Sequence, residues 1–289
     1  MHRFLLHNDR VVDSNAILLS PGQVGLLSGW GVFSTIRVFD GVLFVWERHW
    51  SRMQRDAELL HVPFPGDPDP IHGALLRLIE ANQAANATLR LIVVRNRRGV
   101  WEGPGIERDF DVIAFTTKVK DWGKRVRLTV EPQARHAACM FSGVKMLSWS
   151  FNLVWLEQAQ GRGFDEVILL NERGEVSECT SANLFAAFGR RVVTPPLTSG
   201  CLPGITRELL MEEIRVPGFQ IVEQDLRLED LEKADEVFIT STTRELLPVS
   251  GIEGLKVGQN DAARLVLQDA FSKYCDAYVH AAGARRASI

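Results

Sequence analysis

Residues 31–46, GVFSTIRVFDGVLFVW, hold two β-branched and aromatic runs divided by Asp40-Gly41, a dipeptide that tolerates the positive φ angles of a tight turn. The stretch reads as a β-hairpin. Downstream of it, ERHWSRMQRDAELL (47–60) and IHGALLRLIEANQA (71–84) repeat apolar residues at helical spacing, separated by the breaker-rich VPFPGDPDP. Two helices therefore follow the hairpin. TLRLIVVRN (88–96), DFDVIAFTT (109–117) and RVRLTVEP (125–132) are short β-rich runs bounded by Gly, Pro and charges. The polar KVKDWGK (118–124) lies between the last two. It predicts domains at 1–118 and 125–289 joined by a linker at 119–124.

The second half opens with a helix from about Trp149 to Arg162, ended by Gly163, and continues with DEVILLN, the turn ERG, EVSECT and ANLFAAF as successive strands. Pro203-Gly204 opens a helix ITRELLMEEI, EVFITST (236–242) is a further strand, and DAARLVLQDAFSKYCDAYVHAA (261–282) forms a long amphipathic helix. The chain shows no internal repeat. The class is α/β or α+β, in two domains.

Composition narrows the function. With 289 residues and 46% hydrophobic content the chain has material for real cores, which excludes a disordered protein. Lys and Arg total 33 against 36 Asp and Glu, a formal net charge of -3, so there is no global basic field for nucleic acid. Cys139, Cys179, Cys201 and Cys275 form no C-x-x-C pair and suggest neither a metal site nor a disulfide framework. Asn8, Asp9 and Arg10 break the apolar N-terminal stretch, and no run approaches the roughly 18 apolar residues of a membrane span. The expectation is a cytoplasmic protein that acts on small molecules, without membrane or nucleic-acid partners.

The chain has seven lysines against twenty-six arginines, and six of the seven sit in polar or turn surroundings. Lys145 lies instead in SGVKMLSWSF, between small and apolar residues, a setting that favours a neutral, nucleophilic amine. A lysine reaching out from a strand edge reads equally well. Glu178, in GEVSECTSANLF, alternates with Val176 and Thr180 and is expected on their face of a strand, either as a solvated carboxylate or as a site group. LPGITR places Gly204 before a helix start whose Ile205 and Thr206 amides suit an anion, or merely a capped turn. Ser241, Thr242 and Thr243 end a strand with three hydroxyls that serve a phosphate or the next turn. Arg52 adds a guanidinium on the first helix, whether toward a phosphate or toward solvent.

In order and spacing, GWGVFSTIRVFDG, His49-Trp50-Ser51-Arg52-Met53, Lys145, residues 163–185, TPP (194–196), LPGITR (202–207) and VFITSTTRELLPV (237–249) resemble the class IV (fold-type IV) pyridoxal-phosphate aminotransferases. That group includes branched-chain and D-amino acid aminotransferases and aminodeoxychorismate lyases. The resemblance implies a smaller N-terminal α/β domain, a larger cofactor-binding domain with a β-barrel-like sheet core, and a homodimer. It implies pyridoxal 5′-phosphate as cofactor, Lys145 as the Schiff-base lysine, and Glu178 as partner of the pyridine nitrogen. Arg52, Ile205, Thr206, Ser241 and Thr242 are then expected around the phosphate. The implied activity is amino transfer between an amino acid and a 2-oxo acid; the alternatives are pyruvate elimination from 4-amino-4-deoxychorismate and a catalytically silent binding protein on the same fold.

Two departures bear on the substrate. The usual GDGVFE reads GWGVFS here, with Trp30 and Ser34 in place of the two acids, and the only tyrosines are Tyr274 and Tyr278, both in the C-terminal helix. Arg95, Arg97 and Arg98 of RNRRG are candidates for a substrate carboxylate, with Trp30 and Trp101 as apolar lining. The same residues also read as a solvated loop and core packing.

Overall fold

The computed structural model describes residues 1–16, 18–20, 22–100, 103 and 106–287. It forms two compact units, Met1–Lys120 with Lys145–Trp149 and Ala277–Ile289, and Asp121–Val144 with Ser150–Asp276. The boundary between the two units lies at 120/121. The units are not continuous in sequence, however, since Lys145 and the end of the last helix group with the first.

In the first unit, β1 (Phe4–His7), β2 (Arg10–Asp13), α1 (Val24–Ser28), β3 (Gly31–Phe39), β4 (Val42–Leu43), α2 (Trp46–Leu59), α3 (Pro68–Ala81), β5 (Ala87–Arg95) and β6 (Phe110–Thr117) follow in order. Among the described residues the strands form a six-stranded antiparallel sheet, β2-β1-β6-β5-β3-β4. The expected hairpin is present: Asp40 and Gly41 adopt φ values of 48° and 77°, which brings Phe39 opposite Val42. Because side chains alternate along a strand, Val32, Ile36 and Val38 share one face with Leu89, Leu91 and Val93, and that face packs on Trp50, Met53 and Ala57 of α2 and Leu75 and Leu78 of α3. Asp67 starts α3 by accepting the Asp69 amide at 3.0 Å, with Pro68 in the first turn. The opposite face of the sheet carries Phe33, Thr35 and Arg90.

The second unit contains β7 (Val126–Arg135), α4 (Ser150–Gly161), β8 (Glu166–Asn171), β9 (Val176–Cys179), β10 (Asn183–Phe188), β11 (Arg191–Thr194), α5 (Ile205–Glu212), β12 (Gln220–Glu223), α6 (Leu228–Lys233), β13 (Glu236–Ser241), β14 (Glu245–Ile252) and most of α7 (Ala262–Ala287). Among the described residues its strands make one eight-stranded mixed sheet, β12-β11-β10-β13-β14-β7-β8-β9, curled as a half-barrel. β8 is buried along its whole length, which is why DEVILLN reads as a nearly continuous apolar run.

One expectation about this sheet is corrected. Leu169 pairs with Glu178 but Leu170 pairs with Val176, so β9 carries a bulge at Ser177. The extra residue breaks the alternation: Glu178 lies on the Leu169 face and Val176 on the Leu170 face, inside the main core of the unit. Thr180 lies beyond the strand end.

Candidate active site

Each unit presents its own group of polar side chains. In the first, the segment 145–147 pairs with the start of β3: Phe33 N donates to Lys145 O at 3.1 Å, Leu147 N donates to Gly31 O at 2.9 Å, and Val32 faces Met146 in an antiparallel bridge. Lys145 N in turn donates to the buried Asp56 carboxylate at 3.0 Å. The lysine backbone is thus fixed on both sides, and its Nζ stands 4.6 Å from the Phe33 ring centroid and 6.0 Å from that of Trp149.

The Arg90 guanidinium stacks on the same Phe33 ring, 4.0 Å from its centroid. Burial lowers the pKa of Arg90. Among the described residues its guanidinium has no hydrogen-bond or ion-pair acceptor, so it presents in-plane donors that a carboxylate would satisfy. Sequence reasoning passed over Arg90 in favour of the RNRRG run. The signal was present as a single cation at an alternating position of TLRLIVV, and reading it required the register that sets Arg90 opposite Thr35.

The helix-facing side of the same sheet holds Arg52 and Ser34. Arg52 is 6% exposed and donates from Nη2 to Ser34 Oγ at 2.9 Å, while Ser34 Oγ lies 2.7 Å from His49 Nδ1. The candidates of the RNRRG loop are placed differently. Arg95 donates to His61 O at 2.5 Å and to Arg97 O at 2.8 Å, and stacks over Trp30 at 4.1 Å. Burial, then the charge of Arg98, lowers the Arg95 pKa. Trp30 Nε1 donates to Leu60 O at 2.8 Å. Arg97 reaches Glu107 O at 3.4 Å and the Asp109 carboxylate at 3.8 Å, with its side chain largely exposed. Trp101 lies outside the described residues. Tyr278 donates to Glu47 at 2.8 Å.

In the second unit, the nearly buried Glu178 accepts from Arg135 Nε through Oε1 at 3.1 Å and from Leu202 N through Oε2 at 3.1 Å. Arg135 continues to Asn152 Oδ1 at 3.2 Å, and Asn152 donates to Thr180 O at 2.6 Å. The bulge at Ser177 is what turns Glu178 toward this network. Beside it in the chain fold, Asn183 donates to Leu202 O at 2.8 Å, and its Oδ1 comes so close to Gly204 that a Cβ there would meet it at 2.0 Å. A side chain at position 204 would require Asn183 to move away from the entry to α5.

Ile205 and Thr206 are buried at the first turn of α5, and no side chain caps its amides. Ser241 Oγ accepts from Arg244 N at 3.2 Å, whereas the half-buried Thr242 hydroxyl has no hydrogen-bond partner among the described residues. Uncapped buried amides and a spare hydroxyl fit a phosphate, and a carboxylate already ordered by two donors fits a ring N–H. The donor set therefore suits a phosphorylated pyridine cofactor. Among the described residues there is no group of three or more His, Cys, Asp or Glu suited to a metal ion, and no helix is long and apolar enough to cross a membrane.

The sequence model of the amino-transferase class IV family matches residues 31–252. The chain is 28% identical over 258 residues to the D-alanine aminotransferase of Bacillus licheniformis, covering 88% of this chain and 90% of that protein. It is 27% identical over 286 residues to the aminodeoxychorismate lyase of Bacillus subtilis, covering 96% and 97%. Its structure resembles the branched-chain amino acid aminotransferase of Escherichia coli with a TM-score of 0.85 at 25% identity, over 94% of each chain. The chain belongs to the class IV aminotransferase family. It is an enzyme of the pyridoxal-phosphate-dependent kind that this family comprises.

Proposed function

We propose that this enzyme transfers an amino group from an amino acid to a 2-oxo acid. The observation that carries the reading is the Lys145 amine, held by its backbone on β3 and Asp56 and sharing the Phe33 ring with an Arg90 guanidinium that lacks an acceptor. When bound, pyridoxal 5′-phosphate supplies an aldehyde carbon that takes up an amine and a pyridinium ring that draws electrons from the substrate's Cα. Lys145 Nζ would hold the cofactor and, as a free amine, would carry the substrate's Cα proton as general base and acid. The Glu178 carboxylate would hold the ring nitrogen, and its bonds from Arg135 and Leu202 N keep it oriented for that task. Arg52, the amides of Ile205 and Thr206, and the hydroxyls of Ser241 and Thr242 bind the phosphate.

Arg90 takes the substrate carboxylate in this reading, because a guanidinium without an acceptor gains most from one. Arg95 has its donors on backbone carbonyls and stiffens the Trp30 wall, and Arg97 is the cation for a second carboxylate. The family resemblance also supports a homodimer, which light scattering of the purified protein tests.

The deciding experiment supplies the holoenzyme with an amino donor and no acceptor. The expected result is release of the matching 2-oxo acid up to the amount of bound cofactor, after which turnover stops until a 2-oxo acid is added. Continuous pyruvate release from aminodeoxychorismate without an acceptor would overturn this in favour of a lyase, the activity of the Bacillus subtilis relative. No reaction with either substrate would leave a binding protein.

A further inference from the structure

Ser34 stands where the family's usual GDGVFE segment has its second acid, and it is completely buried beside two groups that can compete for its hydroxyl, Arg52 and His49. Arg52 Nη2 lies 2.9 Å and His49 Nδ1 lies 2.7 Å from Ser34 Oγ, and these are the only hydrogen-bond contacts of that oxygen among the described residues. Guanidinium only donates, so Arg52 occupies a lone pair of the hydroxyl oxygen. The hydroxyl hydrogen then has one acceptor in reach, the His49 Nδ1 lone pair. This order of bonds requires neutral imidazole with its proton on Nε2. His49 meets that requirement: burial first, then the positive charges of Arg52 and Lys145, hold its pKa well below the ordinary value. Its Nε2 is buried and has no hydrogen-bond partner among the described residues.

The chain of donors therefore runs in one direction, from Arg52 to Ser34 to His49. A carboxylate at position 34 would pair with the Arg52 guanidinium and neutralise it. A hydroxyl takes up one N–H, fixes the plane of the guanidinium, and leaves the charge in place for an anion.

We propose that Ser34 and His49 are positioning residues that aim the Arg52 guanidinium at the phosphate of the cofactor, His49 acting as the fixed acceptor that turns the Ser34 hydroxyl. The proposal rests on the reading of Arg52 as a phosphate ligand, and its test separates the two. Apoprotein of the wild type, Ser34→Ala, Arg52→Ala and the double variant is titrated with pyridoxal 5′-phosphate and with pyridoxal, which lacks the phosphate, and apoprotein melting is recorded alongside. Ser34→Ala is expected to raise the dissociation constant for pyridoxal phosphate about tenfold. Its pyridoxal affinity should stay at the wild-type value.

The double variant should bind no more weakly than Arg52→Ala alone, since Ser34 acts only through that guanidinium. If Arg52→Ala weakens the phosphorylated cofactor while Ser34→Ala does not, or if the two effects add, the positioning role is overturned and the phosphate role of Arg52 stands. If Arg52→Ala binds pyridoxal phosphate like the wild type, both are overturned. Ser34→Cys, whose sulfur is a poor acceptor, is titrated by the same criterion should the alanine variant not fold.

Discussion

The Arg244 guanidinium donates from Nη2 to Glu166 Oε2 at 2.9 Å, with the two side chains only 2% and 1% exposed. Glu166 also accepts from the hydroxyls of Thr180 and Ser181, Arg244 Nη1 donates to Ser181 O at 3.1 Å, and the Trp122 ring lies under the guanidinium at 3.6 Å. This buried network joins β8, the bend after β9 and the turn between β13 and β14, the turn that carries Thr242. A buried pair with this many partners orders its surroundings more than it adds net stability, but removing one partner strands the other charge.

Arg244→Met is therefore expected to destabilise the protein by about 3–5 kcal/mol, because the Glu166 carboxylate stays buried without its cation. Adding Glu166→Gln should recover part of that loss. The check is the denaturation midpoint of the single and double variants; equal midpoints for Arg244→Met and the wild type would show that the pair is not closed in solution.

A second buried carboxylate makes the stability depend on acid. Asp111 accepts from Asn8 at 2.8 Å, Gln23 at 2.6 Å, Asn96 at 3.0 Å and Arg108 at 2.8 Å. Burial alone would raise its pKa, but the hydrogen bonds from Arg108, Asn8 and Asn96 outweigh it and bring the value down to about 2. The unfolded chain thus takes up this proton before the native one does. Its stabilising contribution, of order 2 kcal/mol, is complete above about pH 5 and is lost as pH falls toward 2. Asp111→Asn should be less stable than the wild type at pH 7, and the difference should shrink steadily between pH 5 and pH 2.

How much of this was legible in the sequence follows from whether a feature is local. The hairpin at Asp40-Gly41 is written in adjacent residues and forms as expected, whereas α3 begins at Pro68, inside the stretch read as breaker-rich, because Asp67 caps it. Lys145 stood out because it is one cation in an apolar segment. Glu178 was found but assigned to the wrong face, since a bulge at Ser177 leaves no mark on a period-two pattern. β14 escaped notice because Pro248 and Gly251 lie within it, residues that argue against a strand until its neighbours β13 and β7 are known. Arg90 and the Ser34–His49 contact depend on register across β3, β5 and α2, which no single stretch of sequence encodes.

Lys145→Ala should leave the fold near that of the wild-type apoprotein, because the segment is held by its backbone amide and carbonyl. Turnover is expected to fall at least about a thousandfold with loss of the covalent hold and the proton carrier together. Borohydride treatment followed by peptide mapping gives the direct check. Cofactor recovered on any other lysine at wild-type stoichiometry would move the anchor away from Lys145.

Glu178→Gln separates orientation from charge. The amide keeps an oxygen for Arg135 Nε or Leu202 N, so the local bonds survive in part and the cofactor should be retained. In the role proposed for Glu178, what is lost is the full negative charge that would partner the ring nitrogen, an interaction that grows in importance as electrons leave Cα in the transition state. The expected signature is a fall in kcat of about 10²-fold with KM changed far less. The unmatched Arg135 charge adds a second mark, since that guanidinium is 18% exposed and loses its only carboxylate among the described residues. Adding Arg135→Gln should therefore recover stability without recovering kcat. Wild-type kcat in the Glu178→Gln enzyme would mean that Glu178 serves Arg135 alone.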